Sequence, residues 1–294
     1  MTARVLLDRD IDKKWMDAAL RLPDIGDVPA SRAAIDAILE GTYLGKEARQ
    51  KTLTAIARSW ITPTDEGLTM TRGARELSAD SVDLVPLHFG VLLATQPFFA
   101  DAARAVGTAM FGDDEVDTND LRRRMSRTWG TRGAVDRSVQ ANVKTMRSMG
   151  VLRGEPSSSF SSIVRTDIVD PNTASWLIAC TLVSREAASI DGHDIPAAPE
   201  LFAFNLTHAM PRASRWLTRH TEGGNRPVFE LRGHNQFSSA GYSFAVSHES
   251  RFPLSRMVSA HHDQVHPRDG CSRSSRPFPR AGASCEFTRA RVGG

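Results

Sequence analysis

The sequence has few cysteines and no long apolar run. Its three cysteines, Cys180, Cys271 and Cys285, are too few for a disulfide framework. Apolar runs such as Val91–Ala94 are far shorter than the roughly 20 residues that a transmembrane helix needs. Acidic residues also interrupt the N-terminal stretch MTARVLLDRDIDKKW, where a signal peptide would be apolar. We therefore expect a cytoplasmic protein that makes no contact with a membrane.

Catalytic and cofactor-binding motifs are missing as well. The sequence contains no GxSxG, GxxxxGK[ST], HExxH or CxxC motif and no GxGxxG after a predicted strand. Asp113, Asp114 and Glu115 are adjacent, so their carboxylates point in different directions, as in an exposed turn. The metal-binding residue types near the end of the chain do not have the spacing of structural zinc ligands; they are His261, His262, Asp263, His266, Cys271 and Cys285. We expect no enzymatic activity, no metal and no cofactor.

The positive charge of the chain is concentrated in its last 63 residues. Residues 232–294 hold nine arginines, no lysine and four acidic residues, a net charge of +5, whereas the whole chain carries +3. The rest of the chain is therefore slightly acidic, at −2. Overall basicity is consequently no argument for a nucleic-acid partner.

The same tail has an unusual composition. Residues 232–294 contain one leucine, Leu254, and are rich in Ser, Arg, Pro, Gly and His. This composition predicts a disordered, basic tail. It is equally what a GC-rich gene encodes when it is translated out of frame, and a homopolymer slip near the codon for Leu231 would decide for that alternative.

The segment from Asp117 to Asp170 has the most informative pattern. Asp117 or Thr118 can cap a helix by accepting a hydrogen bond from its first turn. An apolar face at i, i+4 and i+8 follows in the residues Leu121, Met125 and Trp129. Gly130 can take the left-handed conformation that ends a helix. We predict a helix that stops at a tight turn.

A second amphipathic helix follows this turn. Its inward face is predicted from five apolar residues, Val135, Val139, Val143, Met146 and Met149. A different face carries a mostly basic stripe, which consists of Arg137, Gln140, Lys144 and Arg147. Gly150 ends the helix.

A short hairpin completes the segment. Val151–Leu152, the loop of residues 154–159 and the stretch Phe160–Val169 indicate strand, loop and strand. Helix, turn, helix and hairpin in this order predict a winged helix-turn-helix, whose second helix is sized for the DNA major groove. Ten Lys and Arg against six Asp and Glu give the segment a net charge of +4, which favours this prediction.

The rest of the chain predicts a mainly α protein. We divide it into an N-terminal helical region (1–83), the winged helix-turn-helix (84–170), a small helical C-terminal region (171–231) and the tail (232–294). Helices are predicted within residues 1–22, from Ser31 to Glu40, from about Lys46 to Thr62, from Leu87 to Thr95, from Pro97, from Thr173 to Ala188, from Glu200 to about His208, and weakly from Ala213 to Arg219. A polar loop with a short helix is predicted for residues 68–83 and a last strand for Val228–Leu231. His88 and Cys180 lie in apolar surroundings and are predicted to be core residues.

Two short motifs flank the central region. Leu44–Lys46 is a Leu-Gly-Lys turn, and Gly150–Gly154 is a Gly-Val-Leu-Arg-Gly step that closes the predicted recognition helix. With the order of elements over roughly residues 30 to 210, they resemble the BrxA-type proteins of the bacterial BREX phage-defence systems, small helical proteins with DNA-binding character. The resemblance implies double-stranded DNA and proteins of a defence complex as partners, and no catalytic residue.

We expect a DNA-binding protein without enzymatic activity, either an accessory of a phage-defence system or a transcriptional regulator. Its predicted contacts are Arg132 and Arg137 near the groove entrance, Gln140 on a base edge, Lys144 and Arg147 on phosphates, and Arg153 and Arg165 on the wing. The alternative is a protein-interaction scaffold in which the winged helix docks a partner. That alternative predicts an exposed apolar patch around Phe98, Phe99 and Trp129.

Overall fold

Helices dominate the part of the chain that the computed structural model describes, residues 6–22, 27–42, 44–110, 115–154 and 160–233. The helices are α1 (Lys13–Leu20), α2 (Val28–Glu40), α3 (Lys46–Trp60), α4 (Asp65–Ser78), α5 (Val85–Thr95), α6 (Pro97–Ala109), α7 (Thr118–Trp129), α8 (Gly133–Ser148) and α9 (Pro171–Arg185). The prediction of a mainly α protein is confirmed. The tail beyond residue 233, with its predicted disorder and its histidines and cysteines, lies outside the described residues, as do Asp113, Asp114 and the loop 155–159.

The strands are short. They are β1 (Glu115–Asp117), β2 (Leu152–Arg153), β3 (Phe160–Ile163), β4 (Thr166–Asp167), β5 (Ser189–Asp191), β6 (Phe204–Asn205), β7 (Leu217–Glu222) and β8 (Arg226–Leu231). Strands β1, β3 and β2 form an antiparallel sheet in that order, and β5, β8 and β7 form a second one. The single strand predicted for Phe160–Val169 is wrong, because β3 ends at Ile163 and β4 pairs in parallel with β6 instead.

Side-chain caps fix where several helices begin. The carboxylate of Asp117 accepts a hydrogen bond from the backbone N–H of Asn119 at the start of α7, as predicted. The predicted cap Ser31 is wrong. Asp27 accepts from the N–H of Ala30 instead, and α2 starts four residues earlier than Ser31 would allow, at Val28.

Helix α4 covers most of residues 68–83, for which a polar loop with only a short helix was predicted. Most of its buried residues are small or polar, among them Gly67, Thr71 and Gly73, and Met70 is the one large apolar residue buried with them. The indole of Trp176 in α9 lies so close to Gly73 that a Cβ atom there would be 2.8 Å from its Nε1. Because most of these buried residues are small or polar, the apolar pattern is weak, and the sequence indicated only a short helix within a loop.

The C-terminal region contains one helix, α9, rather than several. The helices predicted from Glu200 and from Ala213 are wrong: residues 195–201 form two 3-10 turns, Ile195–Ala197 and Pro199–Leu201, and strands follow. The predicted last strand is confirmed as part of β8. Gly223, Gly224 and Asn225, all with positive φ, connect β7 to β8. Such residues are the typical sequence signal of a hairpin.

One buried apolar cluster receives side chains from every helix in the described ranges. At its centre, the ring of Phe89 makes edge-to-face contacts with Phe99, Phe202 and Phe204 at 5.1, 5.9 and 5.1 Å between centroids. Cys180 and His88 are fully buried in this core, as predicted. None of the helices in the described ranges combines the length and the apolar character that a membrane span requires.

Candidate nucleic-acid interface

Helix α7 is anchored to the core through its last turn. Leu121, Met125 and Trp129 are buried, as the apolar spacing predicted. The indole N–H of Trp129 donates a hydrogen bond to Oδ2 of Asp101 in α6, at 2.9 Å, and its ring contacts Phe98 edge-to-face. Gly130 follows with a φ of +84°, which turns the chain toward α8. The start of α8 is therefore fixed by a buried contact.

Helix α8 is covered on two flanks. One flank consists of the predicted apolar residues, of which Val135, Val139 and Met146 are fully buried. The other flank is polar and lies against the segment that precedes α1: the backbone N–H of Ile11 donates to Oγ1 of Thr145 at 3.0 Å, and Nδ2 of Asn142 donates to the carbonyl of Leu7 at 3.0 Å. This N-terminal contact was not predicted, because its polar residues carry no apolar signal.

The remaining side of α8 faces solvent. Arg137, Gln140 and Lys144 are exposed on one side of the helix, and Arg132 is exposed just before it. Asp136 is exposed on the same side and lowers the local positive charge. Four of the seven predicted contact residues thus share one surface.

Arg147 differs from the other members of the basic stripe. Its side chain is half-buried, and its guanidinium donates a hydrogen bond to Oγ of Ser161 in β3. This bond ties the C-terminal end of α8 to the sheet of β1, β2 and β3. Arg147 therefore fixes the position of α8, whatever else it contacts.

The two predicted wing residues lie in different places. Arg153 is exposed in β2, at the edge of the first sheet. Arg165 is exposed between β3 and β4 and lines a cleft together with residues of the 3-10 turns. The structure therefore gives Arg165 neighbours that no pattern in the sequence indicated.

Helix α7 adds exposed basic residues that were not among the predicted contacts. Arg123 and Arg127 are exposed on its outer side. Asp120 pairs with Arg124 at 2.7 Å and with Arg123 at 3.3 Å, and the hydrogen bond from Arg124 lowers the pKa of this carboxyl. The triplet Arg122–Arg124 was the available signal for this surface. We call Arg123, Arg127, Arg132, Arg137 and Lys144 together the α7–α8 surface.

Most cations of the α7–α8 surface have no acidic partner. Within the described ranges, Arg127, Arg132, Arg137 and Lys144 make no ion pair, whereas Arg123 pairs with Asp120. Exposed cations without partners remain available to an anion in solution. Phosphates of a nucleic acid are the anions that match such a spread of single charges.

A buried charge network lies behind this surface. The carboxylate of Glu200 is wholly buried and accepts hydrogen bonds from Arg104 at 2.6 Å and from Arg185 at 2.6 Å. Burial alone would raise the pKa of Glu200, but these hydrogen bonds outweigh it and lower the pKa. Arg104 also pairs with Asp101 at 2.9 Å, and Asp101 holds Trp129. The network thus connects α9 and the second 3-10 turn to the end of α7.

A second pair, between the buried His88 and the partly exposed Asp17, joins α5 to α1. His88 Nε2 lies 2.7 Å from Oδ1 of Asp17, and the hydrogen bond from His88 lowers the pKa of Asp17 to about 2. Burial lowers the pKa of His88. A neutral imidazole that donates its Nε2 proton to the carboxylate satisfies both shifts. No group of His, Cys, Asp and Glu in the described ranges is arranged to hold a metal ion.

A scan of protein-family models and searches of curated proteins and of solved structures found no match to this chain.

Proposed function

We propose that α6 to β3 form a winged helix-turn-helix that binds double-stranded DNA through the α7–α8 surface. The observation that carries the proposal is the exposed side of α8, where Arg137 and Lys144 make no ion pair within the described ranges while the other two flanks of the helix are covered. A helix exposed in this way can enter a major groove about 12 Å wide.

The order of elements supports the same proposal. Helix α6 precedes β1, the helices α7 and α8 follow, and β2 and β3 close the sheet with β3 in the middle. The sheet lies next to the end of α8, because Arg147 contacts Ser161. A hairpin in this place would lie beside the groove that α8 enters, which gives Arg153 a phosphate within reach.

The exposed residues divide into phosphate contacts and one base contact. Arg132, Arg137 and Lys144 would contact phosphates, since single cations neutralise phosphates without regard to sequence. Gln140 lies between them and would read a base edge, because its amide can bond to both N6 and N7 of adenine. Arg123 and Arg127 would extend the phosphate contacts along α7.

We further propose that the protein serves a phage-defence system of the BREX type as a DNA-binding accessory, or that it regulates transcription. The support is the resemblance of the Leu-Gly-Lys and Gly-Val-Leu-Arg-Gly motifs. In the structure, Gly45 precedes the first residue of α3, and Gly150 takes a φ of +76° directly after Met149, the C-cap of α8. Both motifs therefore mark the boundaries of helices.

The scaffold alternative predicted an exposed apolar patch around Phe98, Phe99 and Trp129. The predicted exposed patch is wrong, since Phe98 and Phe99 are fully buried and Trp129 is 6% exposed. Their rings pack in the core and against Asp101, so they are not available to a partner.

The proposal is tested by duplex-DNA binding measured as fluorescence anisotropy over a salt series. The compact unit that contains the α7–α8 surface ends at Tyr242, so residues 1–242 are compared with the full chain. We expect residues 1–242 to bind, with log K falling linearly as log salt rises, because phosphate contacts release counterions. Binding by the full chain alone would place the contact in the basic tail and contradict the proposal.

A further inference from the structure

A cleft with a volume of about 550 Å³ opens beside β4. Its floor is the C-terminal end of α6, at Gly107 and Met110, and its walls are the β4–β6 pair and the two 3-10 turns. Gly107 is required there because a Cβ atom would overlap the carbonyl of Pro199. The volume lies within the range of small-molecule sites, roughly 300–1,000 Å³.

The inner lining of the cleft is apolar. It comes from side chains that the core already holds in place: Met110, Ile195, Leu201, Phe204 and Leu206. Such a lining favours a ligand with an apolar body. Because these side chains are already held in place, binding costs little conformational entropy.

The polar groups of the cleft differ in how far they are satisfied. Oδ1 of Asp167 accepts a hydrogen bond from Nδ2 of Asn205 at 2.8 Å, and Oδ1 of Asn205 accepts from the hydroxyl of Thr207 at 2.7 Å. His193 lies at the rim with Nδ1 3.2 Å from a carboxylate oxygen of Asp191. Arg165 makes no ion pair within the described ranges. The guanidinium is therefore the group that most lacks a partner.

We propose that this cleft binds a small organic anion whose apolar body occupies the inner lining and whose acidic group pairs with Arg165. A guanidinium offers two parallel N–H donors to a carboxylate, phosphate or sulfonate group, which gives both affinity and orientation. Asp167 is the one carboxylate in the lining, and its negative charge repels an anion. The hydrogen bond from Asn205 fixes the position of the Asp167 side chain. The site is independent of the DNA contact proposed above.

The experiment is a fluorescence titration of the full chain with 1-anilinonaphthalene-8-sulfonate, an apolar aromatic anion. We expect Arg165→Gln to weaken binding about tenfold, because a charge-assisted hydrogen bond is lost. Asp167→Asn should tighten binding severalfold, because the amide keeps an oxygen for Asn205 while the opposing charge disappears. Ala197 is exposed and lines the cleft, so Ala197→Trp should fill it and weaken binding at least tenfold.

Arg153→Gln is the matched control, since it removes an exposed arginine outside the cleft. We expect it to leave the affinity for the dye unchanged. Equal weakening by Arg165→Gln and Arg153→Gln would show that the dye binds to basic surface in general and would overturn the proposal. Unchanged binding in both Arg165→Gln and Ala197→Trp would overturn it too. Partial unfolding also raises the binding of this dye, so each variant must show the urea midpoint of the parent protein before its affinity is compared.

Discussion

Arg104 and Arg185 contact the buried carboxylate of Glu200, whereas Arg127, Arg132 and Arg137 extend into solvent from the α7–α8 surface without an acidic partner in the described ranges. The two regions are close in the fold, because Asp101 links Arg104 to Trp129 at the end of α7. An arginine that is paired inside contributes to the fold, and an arginine that is left unpaired outside is available to a polyanion. Removing charge should therefore change stability in the first region and binding in the second.

The largest effect is expected for Glu200→Gln. The amide cannot neutralise Arg185, which has no other acidic partner in the described ranges, whereas Arg104 keeps its pair with Asp101. The variant therefore leaves the charge of Arg185 without compensation next to the core. We expect the free energy of unfolding to fall by roughly 3 kcal/mol. Urea denaturation of the variant and the parent protein measures this difference.

Glu76→Gln is the matched control for this prediction. Glu76 forms an ion pair with Arg215 in which both side chains are about half exposed. An exposed pair of this kind contributes less than about 1 kcal/mol. If both substitutions lowered the urea midpoint equally, burial would not distinguish the two regions.

A smaller, pH-dependent effect is expected at the pair of Asp17 and His88. Asp17 has a pKa of about 2, below its ordinary value of 3.8, so its contribution to stability is complete above pH 4 and is lost as the pH falls toward 2. A shift of this size corresponds to at most about 2 kcal/mol, and partial exposure reduces this to about 1 kcal/mol. Asp17→Asn should therefore destabilise the protein at pH 7 by about 1 kcal/mol.

The difference between Asp17→Asn and the parent protein should then shrink as the pH falls below 4, because Asp17 becomes protonated in the parent. Burial lowers the pKa of His88, whereas Asp17 raises it, so protonation of His88 in the unfolded chain opposes folding below pH 6.5 and does so more strongly in Asp17→Asn. Urea midpoints at pH 7, 5 and 3 test this. A difference that stays constant down to pH 3 would show that the carboxylate charge does not stabilise the fold.

The same two regions show how far the sequence leads to the fold. Around α7 and α8 the apolar residues recur at helical spacing and the polar residues lie opposite, so the helices, the cap Asp117 and the turn at Gly130 were predicted correctly. The pairing of Glu200 with Arg104 could not be predicted, because the two residues lie 96 positions apart in sequence and no pattern connects them. Apolar periodicity indicates which face of a helix or strand is buried, but it does not indicate which other element packs against that face.

Short and polar elements escaped prediction for the same reason. Helix α4 packs through Gly67, Thr71 and Gly73, which carry no apolar period. Strand β4 has two residues, and its pairing with β6 depends on a contact across 38 positions. Leu7 and Ile11 form hydrogen bonds to α8 through their backbone carbonyl and N–H groups. Because every residue has a backbone carbonyl, and all but proline an N–H, such bonds leave no pattern in the sequence. The exposed side of α8 was predictable, whereas the N-terminal segment beside it was not.

The smallest and most direct effect concerns a single exposed charge. Lys144→Gln removes one cation from the α7–α8 surface, and Lys51→Gln removes one exposed cation from α3. Duplex-DNA binding of both full-length variants is measured by fluorescence anisotropy from low to high salt. We expect Lys144→Gln alone to reduce the slope of log K against log salt by about 0.9, the value for one phosphate contact. Equal slopes for Lys144→Gln, Lys51→Gln and the parent protein would contradict DNA binding through the exposed side of α8.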